Sequence, residues 1–167
     1  MRLLFLGDVM GRAGRTAIVE RLARLRQDWN LDFVVVNAEN ASNGVGLTGA
    51  HAKLLLDAGA DCLTLGDHAF DQKDMVQFIQ SEPRVLRPLN YAKTAPGKGA
   101  RVFDVPGGRR ILVAQVLGQV FMKRAFDDPF SAVDKVLRAH PMGGLVNAAL
   151  IDMHCEATSE KMGMGHF

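Results

Sequence analysis

Apolar residues follow two alternating patterns over the first 80 positions of the chain. A continuous apolar run at residues 3–6 and two largely apolar segments at residues 32–36 and 61–65 are typical of buried strands. Apolar residues at helical spacing follow these runs and predict helices over residues 16–27, 48–56 and 71–80. Thr48 is the expected N-cap of the second helix. The resulting order, βαβαβα, predicts a parallel sheet with helices on both of its faces.

The pattern changes in the second half of the chain. Residues 101–105 and 110–116 flank Pro106-Gly107-Gly108-Arg109, which predicts a β-hairpin. A helix over residues 129–139 and an apolar strand over residues 148–151 follow. No repeat, low-complexity tract or linker interrupts the 167 residues, so a single domain of ordinary size is predicted.

Polar side chains follow four of the predicted strands at the point where each strand ends. These side chains are Asp8, then Glu39 and Asn40, then Asp67 and His68, and finally Asp152 and His154. Taken singly, each has a structural interpretation as a turn residue, a helix cap, a solvated loop residue or a structural histidine. The carboxyl ends of parallel strands meet along one ligand-binding edge. Polar side chains at four strand ends therefore predict a shared site. Carboxylates, an amide oxygen and imidazoles suit iron, manganese or zinc.

The glycines between the first strand and the first helix allow a competing interpretation. Residues 7–14 lie where a dinucleotide-binding turn would, but their spacing is G-x-x-x-G-x-x-G rather than G-x-G-x-x-G. Asp8 would also bring a carboxylate towards a pyrophosphate. Gly11 and Gly14 are either simple turn glycines or residues that place a helix N-terminus near a substrate phosphate.

Three further side chains have open interpretations. Cys155 beside His154 is either a soft metal ligand or, as we expect, a space-filling residue. Arg87 and Lys98 either contact a phosphate or are surface charges.

Composition narrows the class of protein. The chain carries 20 basic and 18 acidic residues, a net charge of +2, which argues against a dedicated nucleic-acid or membrane-surface protein. It has no run of about eighteen apolar residues and no signal-peptide pattern at its start. Two isolated cysteines do not form a disulfide framework, so a reduced, cytoplasmic setting is predicted.

Several motifs resemble the YmdB family of calcineurin-like metallophosphoesterases, and the resemblance extends along the whole chain. The most specific stretch is Asp152-Met153-His154-Cys155-Glu156-Ala157-Thr158-Ser159-Glu160-Lys161. Supporting stretches are Gly7-Asp8-Val9, Asn37-Ala38-Glu39-Asn40-Ala41, Gly44-Val45-Gly46-Leu47-Thr48, Arg87-Pro88-Leu89-Asn90, Pro96-Gly97-Lys98-Gly99 and Asp127-Asp128-Pro129-Phe130. The resemblance implies a four-layer α/β/β/α metallophosphoesterase fold.

The resemblance also implies a set of roles for individual residues. Asp8, Glu39 and Asn40 would hold one metal ion, and Glu39 would bridge to a second ion held by Asp67 and His154. His68 would be the proton donor. The two ions, iron or manganese with zinc as an alternative, would share a hydroxide that attacks phosphodiesters such as 2′,3′-cyclic nucleotides. The expected partner is therefore a small phosphodiester, with neither a membrane nor a stable nucleic-acid partner.

The chain departs from the family pattern in three places. Asp67 precedes His68 where the family has Asn, and Gln119 occupies a position where the family has Arg. The 167 residues are about two-thirds of the family's length, and we expect the chain to end before an H-x-H ligand pair. Missing strands would expose an apolar edge and favour a homo-oligomer. The alternative to an active hydrolase is an inactive metal- or nucleotide-binding remnant of the same fold.

Overall fold

The computed structural model describes all 167 residues, which form two compact units, Met1–Leu86 and Arg87–Phe167. The first unit contains a four-stranded parallel sheet in the order β1-β2-β3-β4. Its strands are β1 (Leu3–Leu6), β2 (Phe33–Asn37), β3 (Cys62–Thr64) and β4 (Val85–Leu86). Its helices are α1 (Gly11–Asp28), α2 (Gly49–Asp57) and α3 (Met75–Ser81). The predicted βαβαβα order is confirmed; β4 was not predicted, because a two-residue strand leaves almost no apolar run.

The core of the first unit lies on both faces of β2. Every residue of this strand is buried, as expected for the apolar run of residues 33–36 in a parallel sheet. An ion pair fixes α1 against the sheet: Arg26 Nη1 lies 2.5 Å from Asp61 Oδ2, which also accepts a hydrogen bond from Val34 N at 2.8 Å. The pair thereby ties the C-terminal part of α1 to the starts of β2 and β3.

Local polar contacts set where the helices begin. Thr48 caps α2 as predicted, since its Oγ1 accepts from His51 N at 3.2 Å. The third helix begins at Met75, four residues later than the predicted start at 71. Asp71 and Asp74 lie in that interval, and their carboxylates bind His68 and the Gly49 backbone N–H instead. Side-chain contacts of this kind compete with helix formation.

The second unit contains a three-stranded sheet in the order β5-β6-β7. Its elements are β5 (Ala100–Val105), β6 (Arg109–Leu117), α4 (Pro129–Ala139), β7 (Ala148–His154) and α5 (Thr158–His166). The predicted hairpin is confirmed, because β5 and β6 pair antiparallel and Gly107 and Gly108 have φ of 82° and 69° in the turn.

Two elements of the second unit differ in how well the sequence predicted them. The fourth helix has the predicted bounds, because Asp128 accepts from Phe130 N and Ser131 N and Pro129 occupies the first helical position. In contrast, β7 pairs with β6 in parallel as far as Leu117↔His154, three residues beyond the predicted end at 151.

The structure therefore has a mixed α/β fold with two sheets and five helices. The four-layer arrangement and the single domain stay predictions. None of the five helices combines the length and the apolar composition that crossing a bilayer requires.

Candidate functional site

Backbone hydrogen bonds tie together the loops that follow the first three strands. Val9 N donates to Asn37 O at 3.0 Å, and Ala38 N donates to Thr64 O at 2.9 Å. The buried Asn37 side chain adds two contacts, since its Nδ2 donates to Leu65 O at 3.2 Å and its Oδ1 accepts from Glu39 N at 3.3 Å. The carboxyl ends of β1, β2 and β3 are thus held at fixed positions relative to each other.

Three of the predicted site residues meet at this edge of the sheet. Asn40 Nδ2 donates to Asp8 Oδ2 at 2.8 Å and to Glu39 Oε1 at 3.0 Å. Glu39 is only 2% exposed. The Asn40 amide thereby bridges two carboxylates and stabilises their negative charges. As a metal ligand Asn40 would present its oxygen instead, which requires a half turn of the amide about the Cβ–Cγ bond.

Asp67 brings a further carboxylate to the same edge. One carboxylate oxygen of Glu39 and one of Asp67 lie within 4.8 Å of each other. Two acids this close favour a cation, because a bound cation offsets their mutual repulsion. The donor set of carboxylates and one amide fits a hard or borderline divalent ion.

Gly66 makes room for the Glu39 side chain. A Cβ atom built on Gly66 would lie 1.4 Å from Glu39 Oε2 and 2.3 Å from its Cδ. Only glycine allows the backbone before Asp67 to pass so close to the carboxylate. No local pattern in the sequence marks this role, because the contact joins the segments that follow β2 and β3.

His68 forms an ion pair with Asp71 beside the acidic cluster. His68 Nδ1 lies 2.6 Å from Asp71 Oδ2, and the two side chains are 32% and 30% exposed. The hydrogen bond to Asp71 raises the pKa of His68; burial opposes this, and the Asp67 and Glu39 carboxylates add to it. With Nδ1 directed at Asp71, Nε2 is the nitrogen that remains to donate a proton. The spacing H-x-x-D in the sequence was the signal that could have pointed to Asp71.

The remaining predicted ligand, His154, belongs to the second unit. It is the last residue of β7 and pairs in register with Leu117, and its backbone oxygen accepts from Gly118 N at 2.9 Å. Asp152 is buried within β7 opposite Gln115, so it lies inside the strand rather than after it. The grouping of His154 with the ligands of the first unit stays a prediction.

The burial of Arg87, Lys98 and Cys155 bears on the alternative roles that the sequence left open for them. Arg87 is 7% exposed, so it is not a surface charge, whereas Lys98 is exposed. Cys155 is buried, its Sγ lies 3.3 Å from Ala157 O, and burial raises the pKa of its thiol. A protonated, buried thiol agrees with the space-filling role that we expected.

The first helix begins immediately after the loop that carries Asp8. Its first residue, Gly11, has φ of 52°. A Cβ atom on Gly14 would lie 2.9 Å from Val9 Cγ1. Gly14 therefore serves a close approach between α1 and the loop, rather than only a turn.

The chain is similar in sequence and structure to proteins that are named as phosphoesterases. The chain is 35% identical over 167 residues to the 2′,3′-cyclic-nucleotide 2′-phosphodiesterase of Bacillus subtilis, and the alignment covers 100% of the chain and 62% of that relative. The chain thus spans about three-fifths of the length of this relative.

Two solved structures share the fold. A hypothetical protein from Thermus thermophilus superposes with a TM-score of 0.90 at 42% identity, over 99% of this chain and 62% of that one. A novel phosphatase from Mycoplasma pneumoniae superposes with a TM-score of 0.86 at 32% identity, over 97% of this chain and 58% of that one. A family model described as YmdB-like protein matches residues 4–167, and the chain therefore belongs to the YmdB-like family.

Proposed function

We propose that the protein is a metal-dependent phosphodiesterase that hydrolyses small phosphodiesters such as 2′,3′-cyclic nucleotides. The observation that carries this proposal is the meeting of carboxylate and amide side chains at the carboxyl ends of three parallel strands, next to an ion-paired histidine. These side chains are Asp8, Glu39, Asn40, Asp67 and His68. The name of the Bacillus subtilis relative supports the same class of substrate.

The proposed site holds two metal ions, of which iron or manganese suits the donors best and zinc is an alternative. Asp8, Glu39 and Asn40 would hold the first ion, and Glu39, Asp67 and His154 would hold the second. When bound, a pair of such ions lowers the pKa of water and offsets the negative charge of phosphoryl oxygens.

The protein's own residues supply orientation and a proton. Asp71 accepts the Nδ1 proton of His68 at 2.6 Å and so fixes the ring. His68 then donates the proton on Nε2 to the alkoxide oxygen that leaves phosphorus, which avoids expelling a strongly basic anion. The hydrogen bond to Asp71, which raises the pKa of His68, favours the protonated form that this role requires.

Metal analysis and a hydrolysis assay with 2′,3′-cyclic AMP test the proposal. We expect His68→Ala to lower kcat by about 10²–10⁴-fold with unchanged metal content. Glu39→Gln should lose both metal and activity. His166→Ala is the matched control, because His166 is an exposed residue at the end of α5, and it should keep the parent rate.

Two results would overturn the proposal. One is a His68→Ala variant that hydrolyses the substrate at the parent rate. The other is full turnover by protein from which a chelator has removed all metal.

A further inference from the structure

The second unit contains a cavity of about 680 Å³ that none of the proposed metal ligands lines. Its walls come from the segment after β4 and from α4 with the two residues before it. A volume of this size lies within the range of about 300–1,000 Å³ that small-molecule sites occupy. The cavity is therefore large enough for a ligand the size of a nucleotide.

A buried guanidinium on the cavity wall lacks a counter-ion. Arg87 is 7% exposed, and its guanidinium donates to the carbonyl oxygens of Pro88, Ala95 and Pro96 at 2.7, 3.5 and 3.2 Å. These three acceptors are neutral, and none of the ion pairs in the structure includes Arg87. Burial also lowers the pKa of Arg87, while Tyr91 raises it. Buried charges in proteins are normally paired, so an anion from outside the chain would stabilise this one.

Two lysines add to the positive charge of the cavity. Lys93 and Lys135 line it, both are exposed, and neither takes part in an ion pair. Two acids lie on the wall. Asp128 caps the N-terminus of α4, where its carboxylate accepts a hydrogen bond from Ser131 N at 3.1 Å. Asp127 keeps its carboxylate available as a hydrogen-bond acceptor. The wall thus carries three cations and two carboxylates, a net charge of +1, and Asp127 offers a hydrogen-bond acceptor to a ligand.

The wall also includes one aromatic ring, next to a backbone segment that is held by hydrogen bonds. Tyr91 lines the cavity, and its ring packs on Phe126 with 5.1 Å between the ring centroids. Asn90 fixes the neighbouring backbone, because its Nδ2 donates to Leu117 O and Asp127 O at 2.8 Å each and its Oδ1 accepts from Leu117 N at 2.9 Å. A planar ring can stack on an aromatic wall held in this way without ordering it first.

We propose that this cavity binds a nucleoside monophosphate. The phosphate would pair with Arg87, Lys93 and Lys135, and the base would stack on Tyr91. The ribose hydroxyls would donate to the Asp127 carboxylate. A bare inorganic anion uses only the cations, and a neutral aromatic molecule uses only the ring, whereas a nucleotide uses the cations, the ring and the acceptor together. The inference does not depend on the proposed phosphodiesterase activity, because the cavity contains none of the residues of the proposed metal site.

Calorimetric titration with adenosine 5′-monophosphate tests the inference. A chelator in the buffer removes binding through metal ions at the other site. We expect one saturable site, with adenosine and inorganic phosphate each at least about tenfold weaker than the nucleotide. Lys135→Met should weaken binding at least about tenfold, since it removes a charge-assisted contact. Lys73→Met, at an exposed lysine of the first unit, is the matched control and should bind like the parent.

The single tyrosine of the chain gives an independent readout. In protein labelled only at tyrosine rings, one NMR resonance reports on Tyr91, and it should shift along the same saturation curve as the heat of binding. Circular dichroism confirms that the variants are folded. The inference is overturned by no saturable binding at millimolar nucleotide, by equal affinity for inorganic phosphate, by Lys135→Met behaving like Lys73→Met, or by a Tyr91 resonance that does not move at saturation.

Discussion

Replacing Gly66 by alanine should displace the buried Glu39 carboxylate and destabilise the protein. The added Cβ would lie 1.4 Å from Glu39 Oε2, whereas ordinary contact begins at 3.4 Å, so the oxygen must move by about 2 Å. Glu39 is 2% exposed, which leaves it little room to move. Overpacking costs about 1–3 kcal/mol, and loss of the hydrogen bond from Asn40 costs about 1.5–3 kcal/mol. We therefore expect the free energy of unfolding to fall by about 2.5–6 kcal/mol, a large share of the 5–15 kcal/mol that is typical of a domain.

A double-mutant cycle measures whether the cost arises from this one contact. The free energy of unfolding is obtained from urea titrations of the parent, Gly66→Ala, Glu39→Ala and the double variant. In the Glu39→Ala background the added methyl group meets no carboxylate, so Gly66→Ala should cost less than about 0.5 kcal/mol. Gly165→Ala is the matched control, because nothing lies within 4 Å of a Cβ at this position of α5. It should stabilise the helix slightly, by up to about 1 kcal/mol.

Measuring the metal bound by the same variants tests the candidate site. Gly66→Ala should also lose bound metal, because Glu39 is the proposed bridging ligand. The reasoning is refuted if Gly66→Ala destabilises the parent and the Glu39→Ala variant equally, since the coupling between the two positions would then be zero.

Three further predictions concern charge near the site. Asp71→Asn should lower kcat at least about tenfold at unchanged metal content, because His68 loses the carboxylate that orients it; a parent-like kcat would contradict this. Asp67→Asn should lower KM for an anionic phosphodiester, since it removes a repelling charge, and a higher KM with full metal content would argue against that cause. Burial, followed by the nearby Arg15, lowers the pKa of His51, so its stabilising contribution is present above the unfolded value of about 6.5 and is lost as pH falls towards the folded value. Urea titrations at pH 5 and 7.5 should show His51→Gln losing less stability on acidification than the parent, and an equal loss would exclude this explanation.

The regular elements of the fold were predictable wherever a local signal marked them. The fourth helix has the predicted bounds, because Asp128 and Pro129 mark its start in the sequence. The first helix begins at Gly11, five residues before the predicted 16, because residues 11–15 carry no apolar periodicity. The fifth helix, Thr158–His166, was not predicted at all, since none of its residues is buried and it lacks an apolar stripe.

Only those site residues that directly follow a strand could be predicted from the sequence. Asp8, Glu39 and Asn40 follow the first two strands, and the parallel topology brings them within hydrogen-bond distance. Gly66 was not identified, because its role depends on how two strand ends approach each other, which no local pattern records. Asp71 was assigned to a helix, whereas its carboxylate binds His68 before the helix begins.

The backbone, rather than the acidic side chains themselves, determines where the candidate ligands lie. The loops after β1, β2 and β3 are joined by the hydrogen bonds of Val9 to Asn37 and of Ala38 to Thr64, and none of these four residues is a proposed ligand. A side chain at the edge of the sheet can therefore change its chemistry while the loop that carries it keeps its place. On this view, the carboxylate of Asp67 alters the charge presented to a bound ion and to an anionic substrate, while the bonds of Val9 to Asn37 and of Ala38 to Thr64 keep the loops in place.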